Sequence, residues 1–509
     1  MNTAIKTICS VTIILIMGAC NDFLDRVPLD SPSTETFWQT PEQAELWVNN
    51  LYNGLGDVND CRFEAFSDDA FGRASTGLNN IALGIFEPND PDVQNQWNYR
   101  KIRESLEFFE NIDRVPGISQ NRLNELSGQA NFVLAYRYFR MMTFYRDIPL
   151  VTRPLSVAES DIPKSPKEEV LAYILERLDM AINQLPLTWP SSEAGRITKG
   201  AALALKARVL LYNERWAEAA QTAKQVMDLG IYELHPNFEE LFMEAFNNAT
   251  KESILETQYA ENAREHSLGR TYNYRSIDGF ALIQPMKELG EAFPMADGLP
   301  IDESPLYNPS NPFENRDPRF YATFNYPGRT MNGITFDPIN DPLDKSFTFT
   351  YLFYRKYVTD FVRGEKINLY KNWYVFRYAE VLLMYAEAKN EASGPESSIY
   401  DALDLLRSRA GMPPVDRARY STQETLREFI RNERRIELAG EGLRYFDIIR
   451  WRIAEDVLNG QFTSMEVPDW LPLINIHTRV FLPNRHYVWP IPQTAIDRAT
   501  QLEQHPEWK

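Results

Sequence analysis

The chain has 509 residues, 44% hydrophobic and 24% charged, which is enough for two or three domains or one extended repeat architecture and too apolar for a disordered chain. Its formal net charge of −18 disfavours nucleic acid and anionic lipid as partners through long-range repulsion. Three cysteines (Cys9, Cys20 and Cys61) and five scattered histidines supply no disulfide framework and no metal-binding pair, so neither a metal nor a cofactor is expected.

The N-terminus, "MNTAIKTICSVTIILIMGACNDFLD", carries Lys6 and then a mostly apolar run over residues 8–17. That run is too short to span a bilayer, which takes about twenty residues, and it has the layout of a signal peptide. Gly18 and Ala19 precede Cys20. This resembles a bacterial lipobox, with residues 1–19 removed and Cys20 acylated as the new N-terminus. No later stretch reaches transmembrane length, so a water-soluble body on a lipid anchor is expected.

From residue 42 to about residue 246 the pattern is helical. "QAELWVNNLYNGL" puts Ala44, Trp47, Leu51 and Leu55 on one face. "WNYRKIRESLEFFENID" repeats Ile102, Leu106 and Phe109 at helical spacing, with Trp97 as core. "FVLAYRYFRMMTFY" follows, and the proline of Asp147-Ile148-Pro149 ends it. "SPKEEVLAYILERLDMAINQL" offers Ser165 as N-cap with Glu168 three residues on. "RITKGAALALKARVLLYNERWAEAAQTAKQVMDLG" resembles one tetratricopeptide repeat (TPR). Its Ala207, Leu210, Trp216, Ala219 and Ala223 take the small, large and aromatic positions, Thr198 caps the first helix and Gly230 ends the second.

Over residues 261–371 periodicity is lost while Pro, Asn, Asp and Gly accumulate and aromatics stay dense. A structureless loop of that length is unusual in a folded domain, so an irregular subdomain of short helices and strands is expected, on which function would sit. Helices return with "NWYVFRYAEVLLMYAEAKNEA", where Tyr378, Val381, Leu382, Tyr385 and Ala388 form an apolar stripe, and with "SIYDALDLLRSRAGMP".

"ERRIELAGEGLRYFDIIRW" then packs eight charged residues, Glu433, Arg434, Arg435, Glu437, Glu441, Arg444, Asp447 and Arg450, into a helix-length run. Glu433 and Glu437 are one turn apart, a separation that a pair of glycosidase carboxyls could use. The interleaved arginines argue otherwise. Close guanidiniums hold carboxylates ionised, whereas a catalytic acid needs its pKa raised. A structural salt-bridge lattice with no catalytic residue is expected.

The same run is similar to the signature of the SusD/RagB family of outer-membrane lipoproteins. The resemblance extends through "RYAEVLLMYAEAKNEA", "LLRSRAGMP", "WPIPQTAID", "GRITKGAALALKARVLLY", "SGQANFVLAYRYFRMMTFYRDIPLV" and "CNDFLDRVP". It implies a mainly α, TPR-containing superhelix with an irregular ligand-facing subdomain: residues 20–260 as the N-terminal helical region and 261–509 as the C-terminal region. It also implies a non-catalytic protein, lipid-anchored at the cell surface in the outer membrane. Such a protein captures a glycan, or in some branches a peptide, and delivers it to a SusC-like TonB-dependent transporter.

The motifs define no ligand site, so ligand residues are sought in the two stretches that match least, about residues 55–92 and 261–371. Sugar binding favours an aromatic face beside planar donors and acceptors. "FSDDAFGRASTGLNN" supplies Asp68, Asp69, Phe71, Arg73 and Asn79, and "REHSLGRTYNYRSIDGF" supplies Tyr272, Tyr274 and Arg275. Tyr272 and Tyr274, two apart, would form a platform if that segment is extended. A surface glycosidase and a pure TPR protein-binding scaffold are the rival classes. Release of reducing ends would mark the first, and protein binding without a small ligand the second.

Overall fold

The computed structural model describes residues 37–73 and 76–509. The signal-peptide and Cys20 expectations lie outside the described residues. The helices that build the body are α1 (Pro41–Leu51), α2 (Arg100–Asn111), α3 (Gln120–Tyr145), α4 (Lys167–Gln184), α5 (Lys199–Tyr212), α6 (Trp216–Asp228), α7 (Tyr378–Ser393), α8 (Ser397–Arg409), α9 (Gln423–Glu437) and α10 (Arg444–Arg450). From α2 to α7 each helix packs on the one before it, and α7 also receives α8 and α9. The fold is a row of paired helices, mainly α.

Local chemistry sets the boundaries. α1 starts in a capping box between Thr40 and Gln43 and stops at Leu51, so Leu55, though buried, lies past a further 3-10 turn and not on the helix. α3 ends where Arg146 takes φ +60, ahead of Pro149. Ser165 does not cap α4. Its amide donates to the Ile148 carbonyl in a β-bridge, and the N-cap is Pro166. The first amide of α4, at Lys167, donates instead to Asp147 Oδ1 at 3.0 Å. Thr198 accepts from the Ala201 amide at the start of α5. α7 is buried around nearly its whole circumference from Ala379 to Ala388, because helices on several sides cover it, and a single apolar stripe underestimates this.

Between α6 and α7 the chain leaves the helical row and returns. Strand β1 (Ala70–Gly72) precedes this excursion. Strands β2 (Ser253–Thr257), β3 (Ile283–Pro285) and β4 (Trp373–Arg377) frame it. β2 and β4 pair antiparallel at its base. The segment between them holds short helices and two-residue strands around its own aromatic core, with Tyr272, Tyr274, Phe320, Phe336, Tyr354 and Tyr357 among its buried rings. β1 crosses to this segment and pairs antiparallel with β3, setting Phe71 opposite Gln284.

The charged run is two helices, not one. α9 stops at Glu437, Gly440 and Gly442 take φ +78 and +76, and α10 begins at Arg444. A Cβ at Gly442 would lie 2.4 Å from the Asp60 carbonyl oxygen, so glycine is required there for space as well as for conformation.

Candidate functional site

The carboxylate pair of the charged run is fully engaged. Arg319 contacts Glu433 at 2.6 Å, Glu437 at 3.1 Å and Asp317 at 2.8 Å. Glu437 also binds Arg377 at 2.6 Å and Arg409. Glu441 pairs with Arg377 at 2.7 Å and Lys356 at 2.6 Å. Arg434 and Arg450 both reach Asp447, at 2.8 and 2.9 Å. Burial alone would raise the Glu437 pKa, but the guanidiniums of Arg409, Arg377 and Arg319 outweigh it and hold the carboxyl well below the usual range. A group held so firmly ionised is a poor proton donor.

Asp68 is engaged in the same lattice. It takes a fork from Arg444, with both oxygens at 2.9 Å, and a third contact from Arg435 at 2.9 Å. Asp69 meets Arg435 at 2.6 Å. These contacts fasten the segment before β1 to α9 and α10. The position of Asp68 beside two arginines 367 and 376 residues away carries no local signal.

Three aromatic candidates are interior. Tyr272 ends the short helix Leu268–Tyr272, and its ring packs 4.5 Å from Tyr354. Tyr274 packs 4.8 Å from Phe336. Both have 0% exposure, so the expected two-ring platform is corrected: neither face is open to a sugar. The helix end turns the chain between them, and each ring finds a separate partner in the aromatic core. Phe71 is 5% exposed and lies under the surface against Phe349 at 5.1 Å and His477 at 5.4 Å. Asn79 is also buried.

Arg73 and Arg275 do come together. Arg73 lies 5.2 Å from the Phe347 ring centroid and Arg275 lies 5.0 Å from the same ring. Arg275 is also 5.8 Å from the Phe280 ring, and Arg270 is 5.1 Å from it. The result is an alternation Arg73–Phe347–Arg275–Phe280–Arg270 on the protein surface, where Phe280 is 38% exposed. Backbone oxygens orient it: Arg73 Nη1 donates to Phe280 O at 3.0 Å, and Arg275 Nη1 to Gly279 O at 2.8 Å. Buried Gln284 supports it from below, donating to Phe347 O and accepting from the Phe349 amide, both at 2.9 Å.

From the helix Leu268–Tyr272, Thr271 lines a polar hollow of about 490 Å³. Asp57, Asn59, Tyr259, Arg264 and Asn368 line it. Arg264 lies 5.0 Å from the Tyr259 ring. A second hollow of about 370 Å³ shares Asp57 and Asn59 and adds Arg62, Asn95 and Arg137. His266, in the first hollow, is pushed down to about 4 by burial and is neutral at physiological pH, consistent with Nε2–H donating to Lys371 O at 3.0 Å. Among the described residues no group of His, Cys, Asp and Glu has metal-site geometry. Arg270, Phe280, Phe347 and Tyr259 were not singled out as ligand residues from sequence. The only available hint was the spacing of arginine and phenylalanine through "GRTYNYRSIDGF".

The two divergent stretches thus meet, at β1 with β3 and around the hollows, on a helical body. A model described as the SusD family matches residues 251–508, and one described as starch-binding associating with outer membrane matches residues 22–211. The chain belongs to the SusD family. A SusD-like protein of Formosa agariphila is 24% identical over 93% of this chain and 94% of its own length. Two Bacteroides fragilis crystal structures are similar, each at 28% identity and each covered over its full length. A SusD-like carbohydrate-binding protein superposes with a TM-score of 0.85 over 92% of this chain, and a SusD-like protein with 0.83 over 94%.

Proposed function

We propose that the chain is a non-catalytic binding lipoprotein of the outer-membrane surface that captures a glycan and hands it to a SusC-like TonB-dependent transporter. The arginine–phenyl surface carries this reading, because it sets the exposed Phe280 ring beside planar donors where the divergent stretches meet. The resemblance to a carbohydrate-binding protein of Bacteroides fragilis supports it. So does the engagement of Glu433 and Glu437 by arginines, which leaves that pair unsuited to glycosidase chemistry. In this reading residues 1–19 are the signal peptide, 20–260 the helical region and 261–509 the region that carries most of the ligand surface.

The test is calorimetry and affinity electrophoresis of the full chain against a panel of polysaccharides, with reducing-end release measured in parallel. Binding without release is expected. Phe280→Ala is expected to cost about 1–3 kcal/mol of affinity, on the scale of one stacking ring, with an unchanged melting temperature. Binding of no glycan, or turnover of one, would overturn the proposal.

The anchor is tested separately. Cys20→Ala is expected to move the protein out of the membrane fraction or leave it unprocessed, followed by fractionation and mass. Membrane retention of a normally processed Cys20→Ala chain would remove the lipid anchor from the reading.

A further inference from the structure

We propose that the two polar hollows that adjoin at Asp57 and Asn59 form a second glycan subsite, one that takes an uncharged stretch of oligosaccharide by hydrogen bonding. This rests on the glycan-binding reading above and adds a site to the arginine–phenyl surface.

The charges of the hollows cancel. Arginines and carboxylates line them in equal number, four of each. Arg140 forks Asp60 with contacts at 2.9 and 2.7 Å, and Arg62 holds Asp92 at 2.5 Å. With these groups committed to one another, neither an anion nor a cation is favoured.

Amides and a hydroxyl are what remain for a ligand. Asn59, Asn95 and Asn368 are exposed, and their side-chain amides make no hydrogen bond among the described residues. The exposed Ser267 hydroxyl is equally uncommitted. An amide offers a donor and an acceptor side by side, and a sugar hydroxyl is both donor and acceptor, so the two match without any net charge. Stacking contributes little here. The Tyr259 ring already lies 4.7 Å from His266, edge to face, and 5.0 Å from the Arg264 guanidinium.

The walls are held by bonds that a ligand would not have to break. Thr257 Oγ1 donates to Gly56 O at 2.6 Å, and the Tyr259 amide donates to Asn372 Oδ1 at 2.8 Å. His266 and Leu369 exchange both backbone bonds, at 2.8 and 2.9 Å, in an antiparallel bridge that sets Ser267 opposite Asn368. Walls fixed in advance leave little to order on binding. At about 490 and 370 Å³, each hollow falls in the range of about 300–1,000 Å³ usual for small-ligand sites. Arg270 of the arginine–phenyl surface is followed directly by Thr271 of the first hollow, so one strand of glycan can reach both.

The test uses the full chain and calorimetry with uncharged hexasaccharides (maltohexaose, laminarihexaose, cellohexaose, mannohexaose and xylohexaose), with hexagalacturonate as the acidic comparison. At least one uncharged probe is expected to bind more tightly than hexagalacturonate. Asn59→Ala and Asn368→Ala are each expected to weaken that probe by about threefold to tenfold, the scale of one hydrogen bond, and the double variant by about tenfold or more, with melting temperatures unchanged. Hydrogen exchange of the unaltered chain is expected to slow over residues 57–62 and 264–271 when the probe is bound, which locates the site without any variant. Affinity kept in full by the double variant, or exchange unchanged over those residues, overturns this inference and leaves the glycan-binding reading standing. So does binding of hexagalacturonate alone, or binding of polysaccharides without any uncharged hexasaccharide. Binding of no glycan of any kind removes both.

Discussion

Glu437→Ala is expected to lower the free energy of unfolding by about 3–5 kcal/mol, the usual cost of removing one partner from a buried ionic cluster. Glu437 is fully buried, and its carboxylate serves Arg319, Arg377 and Arg409 at once. Alanine would leave Arg319, Arg377 and Arg409, together with Lys356 on Glu441 and Arg407 on Glu433, to share only Asp317, Glu252, Glu433 and Glu441, one negative charge too few in a dry interior. Denaturant unfolding of variant and wild type measures the difference. The pH dependence gives a second readout. The folded pKa is depressed, so the stabilising contribution is present above the unfolded value and is lost as pH falls toward the folded one. The wild type should therefore lose stability on acidification more steeply than Glu437→Ala below about pH 4.5, the range in which only the unfolded Glu437 gains a proton. A Glu437→Ala protein as stable as wild type that had lost only a ligand-linked activity would return the pair to catalytic suspicion.

Asp68→Ala is expected to cost about 3 kcal/mol, at the lower end of the same range. Asp68 carries both contacts of the Arg444 fork, but Arg435 would keep Asp69 and is itself 14% exposed at the side chain. Arg435 and Arg444 together hold the Asp68 carboxyl far below its usual pKa against the opposing effect of burial. Because Asp68 touches the lattice, ligand affinity measured on the folded fraction should stay within about twofold of wild type, well inside one charge-assisted contact. A loss of affinity without a loss of stability would place Asp68 back on the ligand surface.

The helical row was legible because its signal is local. Thr198 sits three residues before the amide it accepts from, and Ala207, Leu210, Ala219 and Ala223 are buried at the spacing that marks a helix face. The alternation of glutamate and arginine from Glu433 to Arg450 reads as a charge lattice for the same reason. Its partners do not: Asp68, Arg319, Arg377 and Arg409 lie outside the run and meet it only through tertiary packing. The ligand surface fails the local test altogether. Tyr272 and Phe280 belong to one short stretch, yet the first is enclosed by Tyr354 and the second reaches solvent. In an irregular segment no period separates an inner face from an outer one, so ring exposure is decided by residues far away in the chain, as with Tyr274 and Phe336 or Tyr272 and Tyr354. Ser165 shows the converse: a sound capping pattern gave way to a β-bridge with Ile148.

The ties around β1 also set an order of events during synthesis. Glu64 accepts from the amide of Gly442, Asp68 from Arg444, and the carbonyl of Ser67 from Arg479, spans of 378, 376 and 412 residues. Closing such loops costs little more in entropy than closing shorter ones, about 0.6 kcal/mol per doubling, but it cannot begin until the distant partner has been made. Every ring and guanidinium of the arginine–phenyl surface lies between residues 73 and 347, and the clasp around its first strand begins only with Gly442 and Arg444 and is completed by Arg479. A ribosome or export channel that has passed residue 350 has therefore delivered all of that surface and none of the C-terminal ties that fasten the segment around β1.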